Sequence, residues 1–319
     1  MSRKYKNLVI IKDNILKQRE FTVLNKAFNS AKIPMVPIKG IALLFELPDY
    51  GETRPMADID ILVKKEDVFK SKAILLTLGY KIPDNDYSES YYLNQYHHLP
   101  FYNNNYMVEL HWNLCPPRPN NIILPELWQK IRHLESYENT INLLSSEDTI
   151  FSLALHLRRF NDPFSLRYVK DIQKILEANS SKVDWDYILK YSRLNRLESL
   201  LYYSLICIKI KLGYSISTKI IDMFYPGAVK ASLIKLFIAK SNWNNAEKNR
   251  KCVYIFLRLL LYNSMWDFIK FIILLPEEEF SRFYSIKFPS RKSSITYSLR
   301  FLAMPFLFLF DRVSKKSST

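Results

Sequence analysis

Residues 38–63 read IKGIALLFELPDYGETRPMADIDILV, and this stretch decides the fold. It ends in an apolar run, residues 59–63, that predicts a buried strand with Asp58 and Asp60 at its start. Side chains at positions i and i+2 of a strand point to the same face, about 7 Å apart. Two such carboxylates repel each other unless a cation lies between them, so the pair indicates a site for a hard divalent ion such as Mg²⁺. An acidic strand end that faces water would give the same pattern.

The turn before this pair is a candidate anion site. A short apolar strand, residues 34–38, runs into Lys39 and Gly40 and then into a predicted helix, residues 41–47. The first N–H groups of a helix are unpaired and point outward, and Gly40 lets the backbone approach a phosphate closely. Lys39 adds a mobile charge, and Arg54 is a candidate for a bidentate phosphate contact. An ordinary strand-to-helix turn with two surface cations remains the alternative.

Glu109 is the third carboxylate that the pattern offers. It lies in a predicted strand, residues 106–114, where it shares a face with Met107 and His111. If this strand lies beside the strand of Asp60, Glu109 joins the acid pair and completes a cluster of three acids. A solvent-facing position at the edge of a sheet would explain Glu109 equally well. Because Mg²⁺ prefers oxygen ligands, we expect His111 to be a hydrogen-bonded structural residue.

Hydrophobic periodicity divides the chain into two parts. Strands and helices alternate in residues 1–144, and helical patterns dominate residues 145–319, so we expect an α+β protein with an N-terminal α/β domain and an all-α C-terminal domain. The predicted strands are 34–38, 57–63, 91–102 and 106–114, of which the last two form a hairpin around residues 103–105. The predicted helices are 14–32, 41–47, 65–78, 146–160, 165–178, 185–193, 196–212 and 216–224, with one or two more in 253–275.

Composition bounds the class of protein. The chain has 319 residues, of which 48% are hydrophobic, and this is enough to build two domains with cores. Its cysteines lie far apart and form no CxxC pair, which argues against a disulfide framework or a zinc site and indicates a reducing compartment. These are Cys115, Cys207 and Cys252. The apolar run at residues 8–11 is too short for a signal peptide, so we expect a cytoplasmic protein.

The formal net charge of +15 is concentrated toward the C terminus. Residues 227–319 hold 16 Lys and Arg against 6 Asp and Glu, a surplus of +10. This surplus indicates a polyanionic partner such as nucleic acid or an anionic membrane surface, while a general bias toward Lys, Asn and Ile explains it equally well. The apolar run at 295–310 is shorter than the roughly 20 residues that a spanning helix needs. We expect no stable transmembrane span, and favour docking of this run on the core over peripheral contact with a membrane.

Several blocks of sequence together resemble a known family. They are IKG at 38–40, RPMADIDILV at 54–63, VELHW at 108–112, LALH at 153–156 and RYVKDI at 167–172. The combination is similar to an uncharacterised nucleotidyltransferase family within the DNA polymerase β-like superfamily, and it covers about residues 14–215. The superfamily usually carries Gly-Ser after the first strand, and Lys39-Gly40 stands at that place here. The resemblance implies a small mixed sheet.

The resemblance also implies an enzyme that moves a nucleoside monophosphate from an NTP to a hydroxyl-type acceptor by two-metal in-line displacement with Mg²⁺ or Mn²⁺. The acceptor would be a small molecule, a sugar or a modified peptide. The implied metal-binding and catalytic residues are Asp58, Asp60 and Glu109, and Glu109 is also a candidate general base. The implied phosphate-binding residues are Lys39, Gly40 and Arg54.

Two residues of successive helices, His156 and Asp171, are candidates for the acceptor side of the cleft, or for a hydrogen bond between the helices. Two alternative functions remain open. One is a toxin-like nucleotidyltransferase that acts on tRNA or protein, which the basic C-terminal region motivates. The other is a catalytically inactive protein that binds a nucleotide or a partner, against which the presence of all three acids argues.

Overall fold

The computed structural model describes residues 3–83, 89–118, 121–135, 140–158, 166–179, 182–240 and 250–274. The chain divides into two compact units, Met1–Ser264 and Met265–Thr319. The described part of the second unit, residues 265–274, contains a helix at Met265–Ile273. The boundary that the sequence places near residue 144 stays a prediction.

The secondary structure is a mixture of strands and helices, and in the described ranges the strands all lie in the first half of the chain. The strands are β1 Val36–Pro37, β2 Ile59–Leu62, β3 His98–Tyr102, β4 Met107–His111, β5 Arg132–Glu135 and β6 Thr140–Leu143. The helices are α1 Arg3–Ser30, α2 Lys39–Glu46, α3 Pro48–Gly51, α4 Val68–Thr77, α5 Glu89–Gln95, α6 Ser146–His156, α7 Arg167–Asn179, α8 Trp185–Leu194, α9 Glu198–Leu212, α10 Thr218–Asp222, α11 Ala228–Lys240, α12 Arg250–Leu261 and α13 Met265–Ile273.

The central sheet has four strands in the order β1-β2-β4-β3. β2 runs parallel to β4, whereas β1 pairs antiparallel with β2 and β3 pairs antiparallel with β4. The sheet is therefore mixed, as the resemblance implies, and the α+β class is confirmed. All four residues of β2 are buried between its neighbours. A charged side chain in this strand consequently needs a partner.

The apolar side chains form two clusters. One packs the sheet against the first helices and includes Phe21 of α1, Leu75 of α4 and Leu110 of β4. The other centres on α9, in which every residue from 199 to 208 is buried. A helix that is buried on all faces lies inside a bundle, so α9 is the central helix of the helical part.

One predicted strand is wrong in its first half. Residues 91–102 were expected to form one strand, but α5 continues to Gln95 and β3 begins only at His98. Aromatic residues favour strands locally. Here the rings of Tyr92 and Tyr96 contact each other with centroids 5.9 Å apart, and contacts between residues four apart belong to a helix. Tertiary packing thus decides against the local preference.

Other elements follow the sequence more closely. The hairpin of β3 and β4 is confirmed, and residues 253–275 contain two helices, α12 and α13, as far as the chain is described. The short hairpin of β5 and β6 and the helical turn α3 were not predicted. The apolar run at 295–310 lies outside the described residues. No helix in the described ranges has both the length and the apolar character to cross a membrane.

Candidate functional site

The register of β2 and β4 brings two acids together. Asp60 of β2 is the direct partner of Glu109 of β4 in the parallel ladder. Neighbouring strands lie about 4.8 Å apart, so these two side chains extend side by side from the same face. Asp60 is 3% exposed and Glu109 is 8% exposed. Two buried carboxylates at this spacing require a positive charge between them.

Lys39 supplies that charge in the structure. Its ammonium group donates a hydrogen bond to Oδ1 of Asp60 and lies 3.4 Å from Oε2 of Glu109. The backbone of Lys39 has a φ of 57°, a left-handed conformation that costs a residue other than glycine about 1–2 kcal/mol. The amide of Ile38 donates to the carbonyl of Asp60 and so fixes the turn against β2. The strained turn therefore holds the lysine over the acid pair.

His111, which the sequence analysis treats as a structural residue, lies in the same cluster. Its Nε2 is 2.9 Å from Oδ1 of Asp60, 3.2 Å from Oε2 of Glu109 and 3.4 Å from Nζ of Lys39. Among the described residues, Asp60, Glu109 and His111 form a group whose ligand atoms lie within 4.8 Å of one another. Asp58 is outside this group of close ligand atoms.

Asp58 approaches the cluster from the chain that leads into β2. It is partly buried. The pKa of Tyr102 is raised by the burial of Tyr102, then by the charge of Glu109 and then by the charge of Asp58. Lys39 balances one of the three carboxylate charges of Asp58, Asp60 and Glu109, which leaves a negative charge that suits a divalent cation.

Glu109 is held in its ionised form. Burial alone raises the pKa of this carboxyl, but the charge of His98, the hydrogen bond from His111 and the ammonium of Lys39 outweigh that effect and keep the pKa well below its usual value. His98 contributes through its Nε2, which lies 3.5 Å from Oε1 of Glu109. An ionised carboxylate in this position can bind a cation or accept a proton.

Two histidines of this cluster, His97 and His98, were missed by the sequence analysis. Both are buried, and Nδ1 of His98 lies 3.3 Å from Nε2 of His97. In the ladder of β3 and β4, His98 is the direct partner of His111. A hairpin with residues 103–105 as its loop pairs position 98 with position 110, one residue away from the observed partner His111, so the sequence carried only an approximate signal.

Arg54 lies beside the start of α2. Its Nε and Nη2 donate to the two carboxylate oxygens of Asp171, at 2.8 Å and 2.7 Å. A Cβ atom added to Gly40 would lie 2.6 Å from Nη1 of Arg54, so glycine leaves the room that the guanidinium occupies. Tyr50 also donates to Asp171, over 2.7 Å. The structure thus brings Arg54, Gly40 and Asp171 together.

His156 lies beside Tyr168, whose ring also lies near Arg54. Its ring is 4.2 Å from the ring of Tyr168, measured between centroids, and Cζ of Arg54 is 5.9 Å from the same ring. His156 and Asp171 are therefore neighbours of Arg54 through α6 and α7. Whether they line an acceptor pocket stays a prediction.

Asn14, a residue of α1 that the sequence analysis did not single out, holds the loop between α3 and β2. Its Nδ2 lies 2.9 Å from the carbonyl oxygen of Gly51, 2.8 Å from that of Glu52 and 2.9 Å from that of Arg54. Gly51, the last residue of α3, packs closely against α2, because a Cβ on Gly51 would lie 2.5 Å from Cα of Leu44. Local sequence carries no signal for an asparagine that acts across 40 residues.

Comparison with known proteins decides the family. The sequence model of a family described as uncharacterised nucleotidyltransferase matches residues 4–213. The chain belongs to this family. It is a nucleotidyltransferase, and the resemblance drawn from the sequence is confirmed. One similar solved structure is that of the antibiotic-resistance factor ANT(2'')-Ia, with 12% identity, a TM-score of 0.41 and coverage of 57% of this chain and 92% of that chain. No curated protein matches the sequence.

The donor atoms of this nucleotidyltransferase fit a divalent metal ion. Asp60 and Glu109 offer carboxylate oxygens, the ligands that Mg²⁺ and Mn²⁺ prefer. In this structure the ammonium of Lys39 lies between the two carboxylates and supplies the positive charge.

Proposed function

We propose that this protein is a Mg²⁺-dependent or Mn²⁺-dependent enzyme that transfers a nucleoside monophosphate from an NTP to a hydroxyl of a small molecule, a sugar or a modified peptide. The observation that carries the proposal is the pairing of Asp60 with Glu109 across β2 and β4. The ammonium of Lys39 lies between the two carboxylates. Two buried carboxylates brought together by a parallel ladder are costly to a fold, so they indicate a function.

Asp58, Asp60 and Glu109 would hold the metal. When bound, metal ions neutralise the triphosphate and lower the pKa of the attacking hydroxyl. Glu109 is also suited to act as general base, because its ionised carboxylate can accept the hydroxyl proton as the acceptor oxygen attacks the α-phosphorus and pyrophosphate leaves.

The start of α2 would bind the β- and γ-phosphates. Its first backbone N–H groups lack partners within the helix, and Gly40 leaves room for the guanidinium of Arg54 beside this turn. The ammonium of Lys39 would leave Asp60 and Glu109 and donate hydrogen bonds to the phosphates instead. Arg54 would contribute through the part of its guanidinium that lies against Gly40, since its Nε and Nη2 are occupied by Asp171.

The acceptor would bind on the side of α6 and α7, near His156 and Asp171. Asp171 is fully buried and neutralised by Arg54, so its role there is to fix the wall of the cleft. His156 is partly exposed and carries an aromatic neighbour, Tyr168. We place the reaction in the cytoplasm, consistent with the separated cysteines, and assign any contact with membrane or nucleic acid to the basic C-terminal region.

A labelling experiment tests the reaction. The protein is incubated with Mg²⁺ and ATP labelled at the α- or the γ-phosphate, in the presence of a bacterial extract separated into small molecules, tRNA and protein. We expect the α-label to enter the small-molecule fraction and the γ-label to leave as pyrophosphate, and EDTA to stop both. Label in tRNA or protein would favour the toxin-like alternative. Absence of transfer for all four NTPs, together with absence of Mg²⁺-dependent NTP binding by calorimetry, would contradict the proposal.

Replacement of Lys39 should separate its two roles. In Lys39→Met the acids lose their neutralising charge, so Mn²⁺ without nucleotide should bind more tightly than to the wild type. The affinity for Mg²⁺-ATP should fall by about 10–100-fold, because a charged hydrogen bond to the phosphates is lost. Calorimetry measures both affinities, and Lys65→Met, at an exposed lysine, is the control. If the affinities for Mn²⁺ and for Mg²⁺-ATP both rise or both fall, Lys39 does not move from the acids to the phosphates.

A further inference from the structure

Three histidines meet at the end of the β3–β4 hairpin. His97, His98 and His111 are 2%, 6% and 0% exposed, and each offers a ring nitrogen within 4.8 Å of the others. Their ring centroids lie 4.5, 4.7 and 5.3 Å apart. Three buried imidazoles in mutual contact form a set of donors that prefers transition metals to Mg²⁺.

We propose that His97, His98 and His111 form a binding site for a transition-metal ion of the Zn²⁺ class, next to the acid pair and distinct from the proposed Mg²⁺ site. The inference does not depend on nucleotidyl transfer, because it concerns a different ion and a different set of donor atoms.

The distances between the rings agree with this assignment. Ligand nitrogens bind Zn²⁺ at about 2.0–2.1 Å, which places two of them about 3.4 Å apart around a tetrahedral ion. Nδ1 of His98 and Nε2 of His97 are 3.3 Å apart. A hydrogen bond between the two rings would give the same contact.

The remaining nitrogens of His98 and His111 are held by carboxylates. Nε2 of His98 lies 3.5 Å from Glu109, and Nε2 of His111 lies 2.9 Å from Asp60. Metal-binding histidines commonly use their second ring nitrogen in this way, and the carboxylate fixes the ring and strengthens the ligand. The donors of the proposed site are then one ring nitrogen from each of His97, His98 and His111.

His111 gives an independent indication. Its Nδ1 is buried and has no hydrogen-bond partner among the described residues, although its Nε2 has several. Leaving a buried polar atom unsatisfied costs about 1–3 kcal/mol. A bound metal ion would satisfy this nitrogen. Tyr96, whose ring lies 4.9 Å from His97 and 4.7 Å from His98, covers the same cluster.

Titration with Co²⁺ tests the site. The full chain is stripped of metal with a chelator and titrated with Co²⁺ in the absence of nucleotide, and the visible absorption of the bound ion is recorded. We expect one saturable site with the spectrum of nitrogen ligands, and release of Co²⁺ by Zn²⁺. In His97→Gln/His98→Gln the affinity should fall by more than about 100-fold, beyond the range seen when only an outer partner of a ligand is lost.

Matched variants locate the ion. His133→Gln, at an exposed histidine, should bind Co²⁺ as the wild type does. Single replacement His97→Gln guards against misfolding of the double variant, and circular dichroism checks both. Unchanged Co²⁺ affinity in the histidine variants would overturn the proposal, as would a loss confined to Asp60→Asn, because the ion would then lie between the acids. Nucleotidyl transfer can fail or succeed independently of either result.

Discussion

Replacement of Asp60 by Asn should lower the rate of nucleotidyl transfer by at least about 1,000-fold, the scale seen when a group that stabilises transition-state charge is removed. The substitution preserves shape and volume but removes the charge that pairs with Lys39 and faces Glu109. A neutral amide is a much weaker ligand for a hard cation than a carboxylate. The side chain of Asp60 is buried.

The rate is measured by transfer of α-phosphate label at saturating Mg²⁺-ATP, with far-UV circular dichroism to confirm that the variant is folded. Glu66→Gln is the matched control, because Glu66 is an exposed acid a few residues beyond β2. Its rate should equal that of the wild type. If Asp60→Asn keeps a rate within about 10-fold of the wild type, Asp60 does not hold the catalytic metal.

Glu109→Gln should show a similar loss, and rescue by an external base separates two roles of the residue. The pKa of Glu109 lies well below its usual value, so its carboxylate is ionised near neutral pH. If Glu109 is the general base, a strong external base restores part of the activity of Glu109→Gln. If Glu109 only binds metal, no such rescue occurs.

The features that sequence predicts best are those set by neighbours along the chain. The apolar run after Asp58 predicts β2 because alternation and burial are local properties, and Lys39-Gly40 predicts the start of α2 in the same way. Local sequence could not predict that Glu109 lies beside Asp60, because the two residues are 49 positions apart and nothing near either strand indicates which strands pair. The family resemblance supplied that information, and the ladder agrees with it.

The features that sequence missed depend on contacts across the fold. Residues 91–95 form a helix because tyrosine rings pack at helical spacing, although the same residues suit a strand. A phosphate contact of Arg54 stays a prediction, but its partner Asp171, 117 residues away, was not foreseen. An arginine near a glycine turn suggests an anion, and only the tertiary structure reveals that the nearest anion is a carboxylate of another helix.

The pair formed by Arg54 and Asp171 should be among the strongest determinants of stability. In Asp171→Asn we expect the free energy of unfolding to fall by about 3–5 kcal/mol, because the guanidinium stays buried without its counter-charge. The side chains are 5% and 0% exposed, and the new amide group would point N–H donors at the N–H donors of Arg54. Urea-induced unfolding followed by circular dichroism measures the loss.

The matched control lies on the same helix. Glu177 of α7 pairs with Lys174 over 2.6 Å, but these side chains are 32% and 41% exposed. Glu177→Gln should cost at most about 1 kcal/mol, since water screens the pair. A double variant, Arg54→Met/Asp171→Leu, should recover part of the stability lost in Asp171→Asn, because it buries neither charge. Equal losses for Asp171→Asn and Glu177→Gln would mean that water reaches Arg54. The guanidinium would then be free to leave Asp171 for a phosphate at Gly40, and the contact with Asp171 would not brace α7 against the turn that begins α2.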